Sequence, residues 1–137
     1  MHTVTTTDDV ALSAEAAWAV IGDFSGIRKW ATLVEAESTR DTPDGKIRTL
    51  TMPGGRTIDE RLTAEGPFSY TYTLERPDMN IYLSTVSVEP AGPSAAKIVL
   101  VVEFDPKDEM RSEEFTEGFS KFHRGNLKAM KRALGVI

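Results

Sequence analysis

Cysteine is absent from this chain of 137 residues, so disulfides and thiolate metal sites are excluded. Histidine is scarce: His2 and His123 are the only two, and without cysteine they cannot assemble an ordinary zinc centre. There is no Gly-rich phosphate loop, no nucleophile elbow and no His-Glu-x-x-His pair. A nucleotide, zinc or flavin enzyme is therefore not expected, and neither is a metal or any other cofactor. Long apolar runs are missing, and no basic segment followed by an apolar one stands at the amino terminus. Stable membrane insertion and secretion are not expected, and the chain reads as cytoplasmic. Positive charge is in deficit, with 16 Lys and Arg against 21 Asp and Glu and a net charge of −5. The one basic cluster, Lys121, Arg124, Lys128, Lys131 and Arg132, has no interleaved exposed aromatics and falls where it complements a helix dipole. No nucleic-acid partner is expected.

What the chain does have is pattern. With 40% hydrophobic and 27% charged residues it has the composition of a soluble globular protein, and its length suits one domain, residues 1–137. From Ser112 to Leu134, the residues Phe115, Phe119, Phe122, Leu127, Met130 and Leu134 recur at three- to five-residue spacing, which predicts one long amphipathic helix. At the other end, Thr3 to Val10 reads as an edge strand. Ser13 then caps a helix through Ile21 that stops near Gly22, and Asp23 or Ser25 caps a second short helix to Trp30. Between these ends the turn signals Asp44-Gly45, Gly54-Gly55, Gly66-Pro67, Pro77-Asp78 and Pro90 to Ser94 separate strands at 33–40, 46–52, 57–65, 68–76, 80–89 and 96–104. The fold class is α+β: a seven-stranded curved antiparallel sheet, two short helices between strands 1 and 2, and a long carboxy-terminal helix gripped by the sheet.

The local signatures are Ala17-Trp18-Ala19-Val20-Ile21-Gly22-Asp23-Phe24 leading to Trp30, then Thr57-Ile58-Asp59-Glu60-Arg61-Leu62, the Tyr70 and Tyr72 strand, and Tyr82 after a Pro-containing turn. In this order they resemble the START-like (SRPBCC) superfamily, which includes the polyketide cyclase/dehydrase-like and birch-pollen-allergen-like proteins. The resemblance covers nearly the whole chain and implies a helix-grip fold with a cavity between the concave sheet and the last helix. The Thr-x-Glu-Arg-Leu stretch is similar to one in the plant abscisic-acid receptors, where the glutamate faces the cavity. Here Met52-Pro53-Gly54-Gly55 does not match the receptors' gate, and Arg76-Pro77-Asp78-Met79 does not match their latch, so hormone signalling is not inferred.

Period-two alternation, anchored on that fold, places Ile58, Glu60 and Leu62 on one face and Tyr70, Tyr72 and Leu74 on one face of the next strand. Tyr82 and Ser84 continue that surface, and by resemblance Leu100, Val102 and Phe104 point inward. Candidate ligand contacts are accordingly Trp30, Ile58, Glu60, Leu62, Tyr70, Tyr72, Tyr82, Ser84, Leu100, Phe115, Phe119, Phe122 and Asn126. Glu60 is the candidate catalytic residue, because a carboxylate on an apolar wall must find donors or raise its pKa. Its bland alternative is a salt bridge to an arginine at a strand edge. The aromatics are equally good packing residues, and His123 reads as a core-edge histidine with a local partner.

Three functions fit these residues: a carrier or binder of a hydrophobic or aromatic molecule, lipid- or polyketide-like; a metal-free cyclase or dehydratase using cavity acid/base groups; and a partner protein that buries the helix in an interface. Binding is the leading expectation, with whether catalysis occurs left open. A monomer or weak homodimer is expected.

Overall fold

The computed structural model describes residues 1–136. Strand β1 (His2–Val10) leads to helix α1 (Ala14–Ile21), a kinked 3₁₀ segment (Phe24–Lys29), strands β2 (Ala36–Thr42), β3 (Gly45–Thr51), β4 (Thr57–Gly66), β5 (Ser69–Thr73), β6 (Met79–Pro90) and β7 (Ala96–Pro106), and helix α2 (Ser112–Ala133). All pairings are antiparallel, in the order β1-β7-β6-β5-β4-β3-β2, so the amino-terminal strand closes onto β7 and the sheet is the expected meander.

Local chemistry explains most boundaries. The Ser13 side chain accepts from the Ala16 amide at 3.1 Å and starts α1; Asp23 does the same for Ser25 at 3.0 Å and starts the 3₁₀ segment. Gly22 is needed between them because a Cβ there would lie 2.1 Å from the Trp18 indole. Gly54 and Gly55 turn the β3–β4 hairpin at φ of 89° and 82°, the left-handed region that glycine enters without strain. Two strands are shorter than their patterns predict. β2 begins at Ala36 rather than residue 33, because Ala31 to Glu35 forms turns off the 3₁₀ segment. β5 ends at Thr73 rather than residue 76, because Arg76 and Asp78 pair with each other across a turn.

The last helix differs from its predicted stripe in one respect. Its buried residues are Phe115, Phe119, His123, Leu127 and Met130, whereas Phe122 is 58% exposed. At 100° per residue, steps of four, four, four and three residues keep these positions within an arc of about 120° on one side of the helix. Phe122 falls about 60° from Phe119 on the side away from His123, just outside that arc, and Asn126 at the arc's edge is half-buried. His123 takes the core position. α2 lies over β1 and β7, tied by Lys131 Nζ to Asp8 Oδ2 at 3.0 Å and by Thr6 Oγ1 to His123 Nδ1 at 3.4 Å. α1 buries Ala14, Ala17 and Ile21 towards β6 and β7. Among the described residues, no helix is long and apolar enough to cross a membrane.

Burial of His123 lowers its pKa to about 4. The folded state then refuses a proton that the unfolded chain accepts below about pH 6.5. Stability from this group is complete above that pH and is lost as pH falls towards 4, by up to about 3 kcal/mol. Urea titrations of the wild type and His123→Gln across pH 7 to 4 should show a steeper acid loss in the wild type; parallel profiles would remove His123 from the account.

Candidate functional site

The inner wall of the sheet follows from cross-strand register. Leu50 faces Ile58, Arg48 faces Glu60, Leu62 faces Tyr72, Tyr72 faces Ser84, and Ser84 faces Val102. Glu60 is 7% exposed, so the parity expected of it holds. What it meets there is Arg48, which is 1% exposed. Arg48 Nε donates to Glu60 Oε1 at 2.7 Å, and its Nη1 donates to the Phe24 carbonyl at 3.1 Å and to the Tyr70 hydroxyl at 3.4 Å. The guanidinium carbon lies 4.2 Å from the Phe24 ring centre, 4.9 Å from that of Tyr72 and 5.5 Å from that of Tyr70.

Burial opposes the charge on Arg48, but Tyr70, Glu60 and Tyr72 more than offset it, and the guanidinium pKa lies above its ordinary value. Burial likewise raises the Glu60 carboxyl, against the lowering effect of Arg48. Tyr72 is pushed well up by burial and then by the Glu60 charge; Tyr82 is pushed up to about 12 by the same two causes. Both hydroxyls are therefore protonated donors at neutral pH. Among the described residues, Oε2 of Glu60 has no hydrogen-bond donor, so one carboxylate oxygen stays available.

A cleft opens beside this cluster because β5 is short. Its last ladder pair is Arg61 with Thr73, so Thr57 to Glu60 of β4 and Met79 to Leu83 of β6 have no partner between them. The sheet is notched there, and the space of about 1830 Å³ is bordered by residues from both of its faces. Inside the notch the walls are Ile58, Glu60, Tyr72 and Tyr82 from the sheet and Phe115, Gly118, Phe119 and Phe122 from α2; Arg76 to Met79 crosses one end. This is a cleft open to solvent, where the resemblance implies an internal cavity.

Of the residues expected at the site, Ile58, Glu60, Tyr72, Tyr82, Phe115, Phe119 and Phe122 border the cleft, Phe122 from its rim. Tyr70 lies behind it, with its ring 5.5 Å from Phe24 and 6.0 Å from Trp18. Trp30 is buried under the corner, and its indole N–H has no acceptor in the described structure. Leu62, Ser84 and Leu100 share the inner face without reaching the cleft, and Asn126, one turn beyond Phe122, does not border it. Two arginines, Arg48 and Arg76, were not anticipated. Arg48 was legible, since it and Glu60 are equidistant from the Gly54 turn.

A sequence profile of the polyketide cyclase/dehydrase and lipid transport family matches residues 1–135. The chain belongs to that family. Among solved structures, it is similar to the protein XoxI from Bacillus cereus, with 29% identity, a TM-score of 0.81 and coverage of 98% of this chain and 96% of that one. It is also similar to an uncharacterised Bacillus thuringiensis protein, at 27% identity and a TM-score of 0.80, covering 97% and 98%. The Zhui aromatase/cyclase from Streptomyces shares 17% identity and a TM-score of 0.68 over 97% and 90%, a likeness of fold alone. No curated protein matches the sequence.

In this family member the buried pair sets a stability test. Arg48→Met leaves Glu60 buried without its partner and should cost about 3–5 kcal/mol, whereas Arg48→Met with Glu60→Leu should recover most of that loss. Urea midpoints of the two variants check it; an equal loss in both would show that the cost is lost packing rather than an orphaned carboxylate.

Proposed function

We propose that the protein binds a hydrophobic or aromatic small molecule, lipid- or polyketide-like, in the notch between β4, β6 and α2. One observation supports this reading above the others: Tyr72, Tyr82, Phe115 and Phe119 converge on an open space with the buried Glu60 carboxylate among them. Elsewhere the inner face is filled, with Phe104, Val102 and Ile98 at most 1% exposed. Apolar walls supply affinity at roughly 25 cal/mol per Å² buried, and a few fixed polar groups orient the guest. Glu60 Oε2 accepts from a ligand hydroxyl, and Tyr72 and Tyr82 donate to a carbonyl. The family description, which pairs cyclase/dehydrase with lipid transport, is compatible with binding as the shared step.

A catalytic reading rests on the raised Glu60 pKa at the cleft wall, which suits acid/base work in ring closure or loss of water. Against it, Oε1 is committed to Arg48, so only one oxygen is free to move a proton. Under that reading, Glu60→Gln lowers turnover of a poly-β-ketone by 10²-fold or more while leaving ligand binding in place; unchanged rates eliminate it.

The binding reading has a direct test at Gly118, where a Cβ meets no atom within 4 Å although the residue borders the cleft. Gly118→Trp should fill the space and weaken the uncharged dye N-phenyl-1-naphthylamine by tenfold or more. Removing a helix-interior glycine should at the same time keep or raise thermal stability. If the wild type fails to bind the dye, or if Gly118→Trp binds it equally well, the ligand site lies elsewhere or does not exist.

A further inference from the structure

The cleft carries a second guanidinium that the proposed binding does not yet use. Arg76, in the β5–β6 turn, holds Asp78 in a two-point contact: Nε to Oδ1 at 3.0 Å and Nη2 to Oδ2 at 2.8 Å. The same guanidinium carbon lies 5.2 Å from the Phe119 ring centre, 5.5 Å from Tyr82 and 5.9 Å from Phe115. It therefore caps one end of the aromatic wall. Asp78 occupies the side edge of the guanidinium, and among the described residues Nη1 makes no hydrogen bond. The end edge, Nη1 with the second proton of Nη2, has the fork geometry that takes a carboxylate at two points.

The rest of the cleft decides which end of a guest this edge would meet. At the other wall Glu60 is a carboxylate neutralised by Arg48, with Oε2 open as an acceptor. An anionic head there would face Glu60, whereas a hydroxyl would be welcome. At the Arg76 end the negative groups are Asp78, already paired, Glu114, paired to Arg111 Nη2 at 2.7 Å, and Glu75, whose side chain is exposed to solvent. Arg111 itself stacks 4.5 Å from the Phe115 ring centre, adding a second cation to this end.

Resting on the binding reading above, we infer that the ligand is an amphiphilic monocarboxylate: its apolar body lies along Tyr82, Phe115 and Phe119, and its carboxylate takes the free edge of Arg76. Asp78 orients the arginine and keeps it from collapsing into solvent when the cleft is empty. The guest enters carboxylate outermost, so it is a preformed acid rather than a thioester-tethered chain.

Dodecanoate and dodecanol share one apolar body and differ in the head, so displacement of N-phenyl-1-naphthylamine by each tests the assignment. Wild type should bind dodecanoate at least tenfold more tightly than dodecanol. Arg76→Gln should lower dodecanoate affinity about tenfold and leave dodecanol and the dye unchanged, which also shows the cleft intact; Arg76→Lys, with charge but no fork, should fall between. Equal wild-type affinity for the acid and the alcohol, or an equal loss of both in Arg76→Gln, overturns the inference while the binding reading stands. Failure of the dye to bind wild type overturns both.

Discussion

A single helix cannot cover a seven-stranded sheet, and the site follows from that mismatch. Strands about 4.8 Å apart give a sheet roughly 29 Å wide, whereas a helix with its side chains is about 10 Å across. α2 settles over β1 and β7, α1 over β6 and β7, and the 3₁₀ segment beside β2. The inner wall of β4 is left without a helix, and Ile58 and Leu62 there are only half-buried although they point inward. A short β5 then removes the ladder between β4 and β6, so the uncovered strip becomes a notch rather than a flat apolar face. The cleft thus needs no special residue to exist; it needs element lengths that do not match.

An uncovered concave wall invites collapse, and the Arg48–Glu60 pair answers that. It connects β3 to β4 by an ion pair, to the 3₁₀ segment through the Phe24 carbonyl and to β5 through the Tyr70 hydroxyl. Taking both charges out of water is expensive, and the gain from their attraction alone does not offset it reliably. Here a ring face on three sides and two further acceptors supply the balance. A hydrocarbon core at this point would pack as well but could slide into the notch. The directional bonds of the guanidinium fix where β3, β4 and β5 stand relative to one another.

Much of the architecture was legible because turns and caps carry their own chemistry. Ser13, Asp23 and the Gly54-Gly55 pair each act within a few residues, so sequence alone locates them. The start of β2 and the end of β5 were not legible, because they depend on what lies outside the strands: backbone turns leaving the 3₁₀ segment for β2, and the Arg76–Asp78 pair for β5. The inward parity of Glu60 could be read from Ile58 and Leu62, yet its partner lies twelve residues away across a hairpin and needs register as well as alternation. The helix seam failed at Phe122 for a simpler reason: a phenylalanine looks like core until the neighbouring histidine takes the azimuth. A buried neutral histidine leaves no mark in a hydrophobicity pattern. The tyrosines show the same limit. Tyr70 and Tyr72 share a face, but only Tyr72 reaches the cleft, since Tyr70 is enclosed by Trp18 and Phe24.

One chemical device occurs twice along this wall, at different depths. At the floor, the Arg48 and Glu60 side chains are 1% and 9% exposed; at the mouth, those of Arg76 and Asp78 are 28% and 29% exposed. Both are guanidinium–carboxylate pairs set on aromatic rings. The difference in burial separates their roles. A pair shut away from water cannot exchange partners without leaving a charge stranded, so the floor is structural and presents only the spare oxygen of Glu60. A pair in contact with water loses little when its arginine accepts another anion, since solvent stabilises each intermediate arrangement. The rings under Arg76 are themselves packed, with Phe104, Phe115 and Phe119 centred 5.1 to 6.3 Å apart. The cleft thereby has polarity along its length: an acceptor at a fixed floor, a donor at an adaptable mouth, and hydrocarbon in between.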